Sequence, residues 1–257
     1  MHSISEGVCA SWILDALERE EGGWCVTVNL EILRRIQHDP SLRELVAGSS
    51  LRVADGITLV WASKIAGIPL SERVCGSSLI YSLTTAAVRR ERSVFLLGGN
   101  EGVAAQAAAQ LQQQNPGLRV TGTYCPPFGF DREPQKIDEI VARLQVAQPD
   151  IVYVALGFPK AEKLIAQIHH HLPKAWWIGV GISFSYVAGE VGRAPVWVQN
   201  LGLESYYRLA QEPRRLARRY LVDGPPFVAL MLARSLLQRF GIGPDVVRSY
   251  GEASRPE

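Results

Sequence analysis

No stretch of this chain stays apolar over the ~20 residues that a membrane-spanning helix needs. Phe227–Leu237 is apolar but too short for that role. Residues 1–20 carry Glu6, Asp15, Glu18 and Glu20 and lack an apolar core, so no secretory leader is expected in them. Cysteine is sparse. Cys9, Cys25, Cys75 and Cys125 stand far apart, with no CxxC and no histidine at ligand spacing. That excludes a zinc ribbon or a disulfide framework and fits free thiols in a reducing compartment. Excess charge is also lacking: the net charge is only +2, so nothing global points to nucleic acid. There is no DxD pair of the kind that holds magnesium, no Ser-His-Asp ordering and no internal repeat. Leu97-Gly98-Gly99 lacks the third glycine of GxGxxG, and no acidic residue ends a following strand at the right distance, which disfavours a nicotinamide cofactor. His169-His170-His171 has no carboxylate or cysteine beside it and reads as a cationic helix end rather than a metal site.

What is present is a core-forming composition. Of 257 residues, 47% are hydrophobic and 20% charged, enough for one large domain or a core of about 200 residues with an appendage. Apolar strand patterns fall at Trp24–Val28, Leu51–Val53, Val94–Leu97, Leu118–Tyr124, Ile151–Leu156 and Trp176–Val180. Helical patterns fall between them: 11–20, 30–36, 41–47 with Ser41 as N-cap and Glu44 completing a capping box, 57–66, 77–90, 103–114, 134–148 and 161–170. Such alternation predicts βαβ units and a mostly parallel sheet covered on both faces. After Pro195 strands disappear. Helices are predicted at 197–211, 213–220 and 227–240, the last broken off by Gly241, Gly243 and Pro244, with the final ten residues loosely held. The division expected is an α/β core over 1–200 and a basic, apolar helical appendage over 201–257.

Several strands end in loops suited to a ligand. The Gly-rich stretch Trp176–Pro195 serves either backbone approach to a ligand or tight packing. Asp55, at a strand end with Gly56 behind it, is either a general base or sugar ligand, or an N-cap for the next helix. Thr27 and Asn29 offer neutral hydrogen-bonding groups at another strand end, and Arg73 with Gly76 forms a third such loop. Arg208, Arg214, Arg215, Arg218 and Arg219 crowd into twelve residues. Such a cluster is a solvated helix face, or it meets phosphate or anionic lipid.

Taken together these pieces resemble one family. Thr27-Val28-Asn29, Ala54-Asp55-Gly56, Arg73-Val74-Cys75-Gly76, Leu96-Leu97-Gly98-Gly99 and Gly157-Phe158-Pro159-Lys160-Ala161-Glu162 occur in order. Gly179-Val180-Gly181 with Ala188-Gly189, Arg193-Ala194-Pro195 and Gly202-Leu203-Glu204 follow. Tyr207-Arg208-Leu209, Glu212-Pro213-Arg214-Arg215 and Arg218-Arg219-Tyr220 complete the series, which spans roughly residues 24 to 228. The series is similar to that of the WecG/TagA/CpsF bacterial glycosyltransferases (family 26). The resemblance implies an α/β fold with a mostly parallel, Rossmann-like sheet core, helices on both faces and a C-terminal helical appendage. It implies inverting, metal-independent transfer of a sugar from a UDP-sugar to a polyprenyl-diphosphate-linked acceptor, with no cofactor, by a cytoplasmic enzyme peripherally held at the inner membrane face. It makes Asp55 the base, with Thr27 and Asn29 in the same catalytic pocket. Arg73, Gly98, Gly157, Lys160, Glu162, Gly181, Arg214, Arg215 and Arg218 become the donor-binding set. Oligomeric state stays open.

The chain also departs from the family pattern. Ala161 stands where a Gln is usual, Ser185 and Ser78 where acidic residues are usual, and Ser205 where an aromatic is usual. Gly224-Pro225-Pro226-Phe227 has lost an Arg. Two readings follow: an active transferase with altered donor or acceptor choice, or a silent relative serving as a binding or scaffold subunit. The presence of Asp55, Thr27, Asn29 and Arg73 favours the active one.

Overall fold

The computed structural model describes residues 1–200 and 203–241, so the predicted loose tail lies outside the described residues. The chain runs α1 (Glu6–Glu18), β1 (Gly23–Val28), α2 (Leu30–His38), α3 (Pro40–Ala47), β2 (Leu51–Ala54) and α4 (Ile57–Ile65). Next come α5 (Gly76–Arg89), β3 (Ser93–Gly98), α6 (Val103–Gln114), β4 (Arg119–Tyr124), α7 (Pro134–Ala147) and β5 (Ile151–Ala155). Then follow α8 (Lys160–Ile168), β6 (Trp176–Gly179), α9 (Ser183–Val187), α10 (Val196–Asn200), α11 (Glu204–Gln211), α12 (Pro213–Ala217) and α13 (Gly224–Arg239).

The strands form one sheet of six in the order β2-β1-β6-β5-β3-β4, and every pairing is parallel. Five of them are buried along their whole length, which is why their sequences are mostly apolar, with Thr27, Arg52 and Ser93 as the polar members. The sixth, β4, is the half-exposed edge. One face packs α1, α5, α6 and α9 over Cys25, Leu96, Tyr153 and Ile178. The other packs α2, α3, α7 and α8 over Val26, Leu97, Val154 and Trp177. Each large side chain closed off in this way, such as Leu96 or Leu97, stabilises the fold by roughly 1.5–3 kcal/mol.

The last strand enters the middle of the sheet. Placing β6 between β1 and β5 brings the Gly179–Gly181 loop beside the loops that follow β1, β2 and β5. All these loops leave carboxyl ends of parallel strands, where open α/β sheets bind ligands.

The structure corrects several local expectations. Ser41 does not cap α3. Asp39 does, accepting from the Ser41 N–H at 3.0 Å, because Pro40 occupies the first helical position. The first helix begins at Glu6, capped by Ser5, rather than near residue 11. The predicted helix over 197–211 is two helices, α10 and α11. The Gly-rich stretch holds a buried helix, α9. Beyond Pro213 the chain does not break at Gly224-Pro225-Pro226. It passes from α12 through a π-helical turn, Arg218–Asp223, straight into α13. Pro225 and Pro226 are tolerated because they fall in the first turn, where an N–H has no intrahelical partner. Counted through that turn, Tyr220–Arg239 is a 20-residue helix of mean hydropathy 1.2, long and apolar enough by length and composition to cross a membrane. The shorter run judged from sequence understated it. Only 17% of it is buried within the protein.

Candidate active site

A cleft of about 600 Å³ opens at the carboxyl ends of β2, β1, β6 and β5. Thr27 and Asn29 come from the end of β1, Asp55 from the end of β2, and Gly157 from the end of β5. Glu162 comes from the first turn of α8, and Gly181 from the loop after β6. Arg73, Gly76 and Ser77 form the wall ahead of α5. The roof is built by the C-terminal helices: Glu204 and Arg208 of α11, with Gly224, Pro225 and Leu232 of α13. α13 also packs on α4 and α2.

Each side chain is held by its element. Asn29 is the N-cap of α2, its Oδ1 accepting from Glu31 N–H and Ile32 N–H at 3.1 Å each, which leaves its amide N–H groups free for the cleft. Asp55 is not a helix cap. The N-cap of α4 is Gly56, one residue later. The backbone N–H of Asp55 bonds the Val28 carbonyl at 2.8 Å, so its position is fixed by the neighbouring strand. Gly76 packs closely, since a Cβ there would stand a tight 3.2 Å from the Gly179 carbonyl oxygen. α5 therefore starts hard against the β6 loop, and its N-cap, Cys75, makes no side-chain capping bond.

The cleft brings Arg34, Arg73 and Arg208 together with Asp55, Glu162 and Glu204, and burial raises the pKa of two of these carboxyls. Burial pushes Asp55 above the usual carboxylate range. The Cys75 thiol bonded to it, and the nearby Arg73 and Arg208 guanidinium groups, oppose that shift, while Glu204 adds to it. Arg73 Nη1 donates to Glu204 Oε2 at 3.1 Å, and Arg193 approaches the other Glu204 oxygen at 3.7 Å. Arg193 also donates to Ser78 Oγ at 2.6 Å. Glu204 thus ties α11 to the core. Arg208 Nε is buried without a hydrogen-bond partner. Across the cleft, burial drives Glu162 to a pKa of about 7.

Of the residues expected from sequence, the cleft collects Thr27, Asn29, Asp55, Arg73, Gly157, Glu162 and Gly181. Gly98 lies off the lining: a Cβ there would meet the Ala155 carbonyl oxygen at 2.7 Å, so it serves strand packing. Lys160 is also off the lining and pairs with Asp131 at 2.9 Å. Arg214 is exposed on α12, and Arg218 is 87% exposed beside Asp223; neither lines the cleft. The side chain of Arg215 lies outside the described residues. The expected donor-binding set left out Arg208 and Glu204, though both stand in the motif series and Arg208 in the arginine cluster, and Arg34 and Tyr186 were not singled out; all four line the cleft. Glu204 and Arg208 carried a signal, since residues four apart share a helix face.

The sequence profile of the Glycosyl transferase WecG/TagA/CpsF family matches residues 1–241. The chain belongs to that glycosyltransferase family. A Bacillus spizizenii protein named N-acetylglucosaminyldiphosphoundecaprenol N-acetyl-beta-D-mannosaminyltransferase is 31% identical over 216 residues, covering 84% of this chain and 81% of the relative. A Bacillus subtilis protein of the same name is 32% identical over 202 residues, covering 79% and 77%. Among the described residues no group of three His, Cys, Asp or Glu side chains could hold a metal ion. Of the departures from the family pattern, Ala161, Gly224 and Pro225 line the cleft, Ser78 is bonded to Arg193, and Ser185 lies off the lining.

Proposed function

We propose that this protein moves an N-acetylhexosamine or hexose from a UDP-sugar to a polyprenyl-diphosphate-linked acceptor, with inversion and without a metal. The observation that carries the reading is the meeting of Asp55 with Arg73 and Arg208 in one cleft. Asp55 takes the proton of the acceptor hydroxyl as its oxygen attacks the anomeric carbon; the bond from that carbon to the diphosphate breaks, and UDP leaves. The leaving diphosphate carries developing charge, which Arg208, Arg73 and the uncapped N-terminus of α5 are suited to stabilise. Thr27 and Asn29 bond the sugar hydroxyls. The relatives' name, with its lipid diphosphate, supports the acceptor class, and its beta linkage supports inversion from an alpha-linked donor.

In this reading residues 1–200 are the catalytic core, and 201–257 an appendage that closes the cleft and meets the cytoplasmic face of the membrane. Exposed Leu230, Leu236 and Leu237 on α13, with Phe240 at its C-cap, support peripheral association, as does the low burial of the helix. The test is a transfer assay with a panel of UDP-sugars and a short polyprenyl-diphosphate-linked N-acetylglucosamine, read by mass spectrometry with and without EDTA. One donor should be transferred at equal rates in both. Absence of transfer from every donor overturns the reading, and loss of transfer in EDTA overturns metal independence.

A further inference from the structure

Glu162 is a carboxyl without an obvious reason to be where it is. It is only 5% exposed, in the first turn of α8 on the wall of the cleft. Its Oε1 lies 3.0 Å from where a Cβ on Gly179 would stand, so the carboxyl sits against the end of β6. Its Oε2 is buried with no hydrogen-bond partner. An unpartnered buried carboxyl oxygen costs on the order of 1–3 kcal/mol, which a structural role does not recover. The neighbours on this wall, Gly157, Phe158, Ala161 and Gly179, bring no polar side chain.

We propose that Glu162 selects the donor by giving a hydrogen bond, in its uncharged form, to a carbonyl oxygen of the bound nucleotide sugar. This inference rests on the reading of the cleft as a UDP-sugar site. A UDP-N-acetylhexosamine offers two such carbonyls, the pyrimidine's and the acetamide's. A neutral carboxylic acid has one O–H to give, whereas a carboxylate has none and would repel the lone pairs.

The surroundings favour the uncharged acid up to about pH 7. Its pKa of about 7 comes from burial, relieved only by a bond from its own backbone N–H. β6, packed against it, brings no charged group. α3, on the other side of α8, brings Arg43 and Glu44, both turned to solvent. The chargeable groups sharing the cleft are Glu31 and Arg34 of α2, Asp55, Arg73, and Glu204 and Arg208 of α11, with Tyr186, Tyr206 and Tyr220. None forms an ion pair or a hydrogen bond with Glu162.

The test is calorimetric binding of UDP-N-acetylglucosamine and UDP-glucose to the full chain at about pH 6 and about pH 8.5. Neither ligand has a phosphate that titrates in this range. Wild-type affinity should fall by roughly tenfold or more between the two conditions, as the acid is lost. Glu162→Gln keeps a donor that does not titrate, and its affinity should stay level. A fall for both ligands assigns the bond to the pyrimidine carbonyl; a fall for the N-acetylated ligand alone assigns it to the acetamide. Binding that is flat with pH in the wild type, or equally steep in Glu162→Gln, overturns this inference and leaves the transferase reading standing. No binding of either ligand at either pH overturns this inference, and the transferase reading falls with it only if no donor of the UDP-sugar panel is transferred. Carbon-13 NMR of the Glu162 carboxyl in the wild-type chain gives an answer independent of how the variant folds. Its pKa should rise on adding UDP-N-acetylglucosamine, and an unchanged or lowered value overturns the inference.

Discussion

At the scale of single residues, Glu162 has a consequence for stability as well as for binding. An ordinary glutamate holds its proton up to about pH 4.5, and burial in the folded chain extends this to about 7. A folded pKa above the unfolded one contributes stability that is complete below 4.5 and lost as pH rises through about 7. The difference corresponds to about 3 kcal/mol. Glu162→Gln removes the titration, so its melting temperature should match the wild type's near pH 4 and exceed it by several degrees above pH 8. A difference that stays constant with pH, in thermal melts followed by circular dichroism, contradicts the assignment. The identity of this residue was legible through its motif, but its isolation was not. Nothing in Lys160-Ala161-Glu162 says that Lys160 pairs outward with Asp131 and leaves the glutamate without a cation. Asp55 was legible to a similar degree. Its place at a strand end suits a base or a cap equally, and only the start of α4 at Gly56 separates the two.

At the scale of elements, the C-terminal helices decide which of their described arginines lines the cleft. The sequence offers a cluster, and a uniform helix would put Arg214 and Arg218 on one stripe. The chain instead divides at Glu212-Pro213, and the π-helical turn at Arg218–Asp223 resets the register before α13. Arg208, one helix earlier, lines the cleft, as Arg214 and Arg218 do not, four residues after the glutamate that anchors α11 to Arg73. Arg208→Ala should lower kcat/KM for the UDP-sugar by roughly 10²-fold on a water-soluble acceptor. Arg214→Ala, at an exposed position, should change it by about twofold at most. Steady-state kinetics on the two variants checks this, and the reverse order of effects would return the diphosphate to α12. The proline-containing turn could not be read from sequence, because Pro225 and Pro226 stop a helix anywhere except its first turn. Where that turn falls is set by the packing of α13 on α4 and α2.

At the scale of the whole molecule, strand and helix alternation was open to inspection, since period and run length follow from two-sided burial. The strand order was not. Inserting β6 between β1 and β5 is a choice of long crossovers, made by tertiary packing, and no local pattern in Trp176–Gly179 states it. Yet that insertion gathers loops from residues 27, 55, 157 and 181 into one cleft and lets helices beyond residue 200 roof it. The central claim is that this cleft performs the transfer with Asp55 as base. It is tested most directly by measuring turnover and UDP-sugar affinity together on Asp55→Asn. Turnover should fall by ~10²–10⁴-fold while affinity and melting temperature stay near those of the wild type. Turnover at the wild-type level would contradict the account.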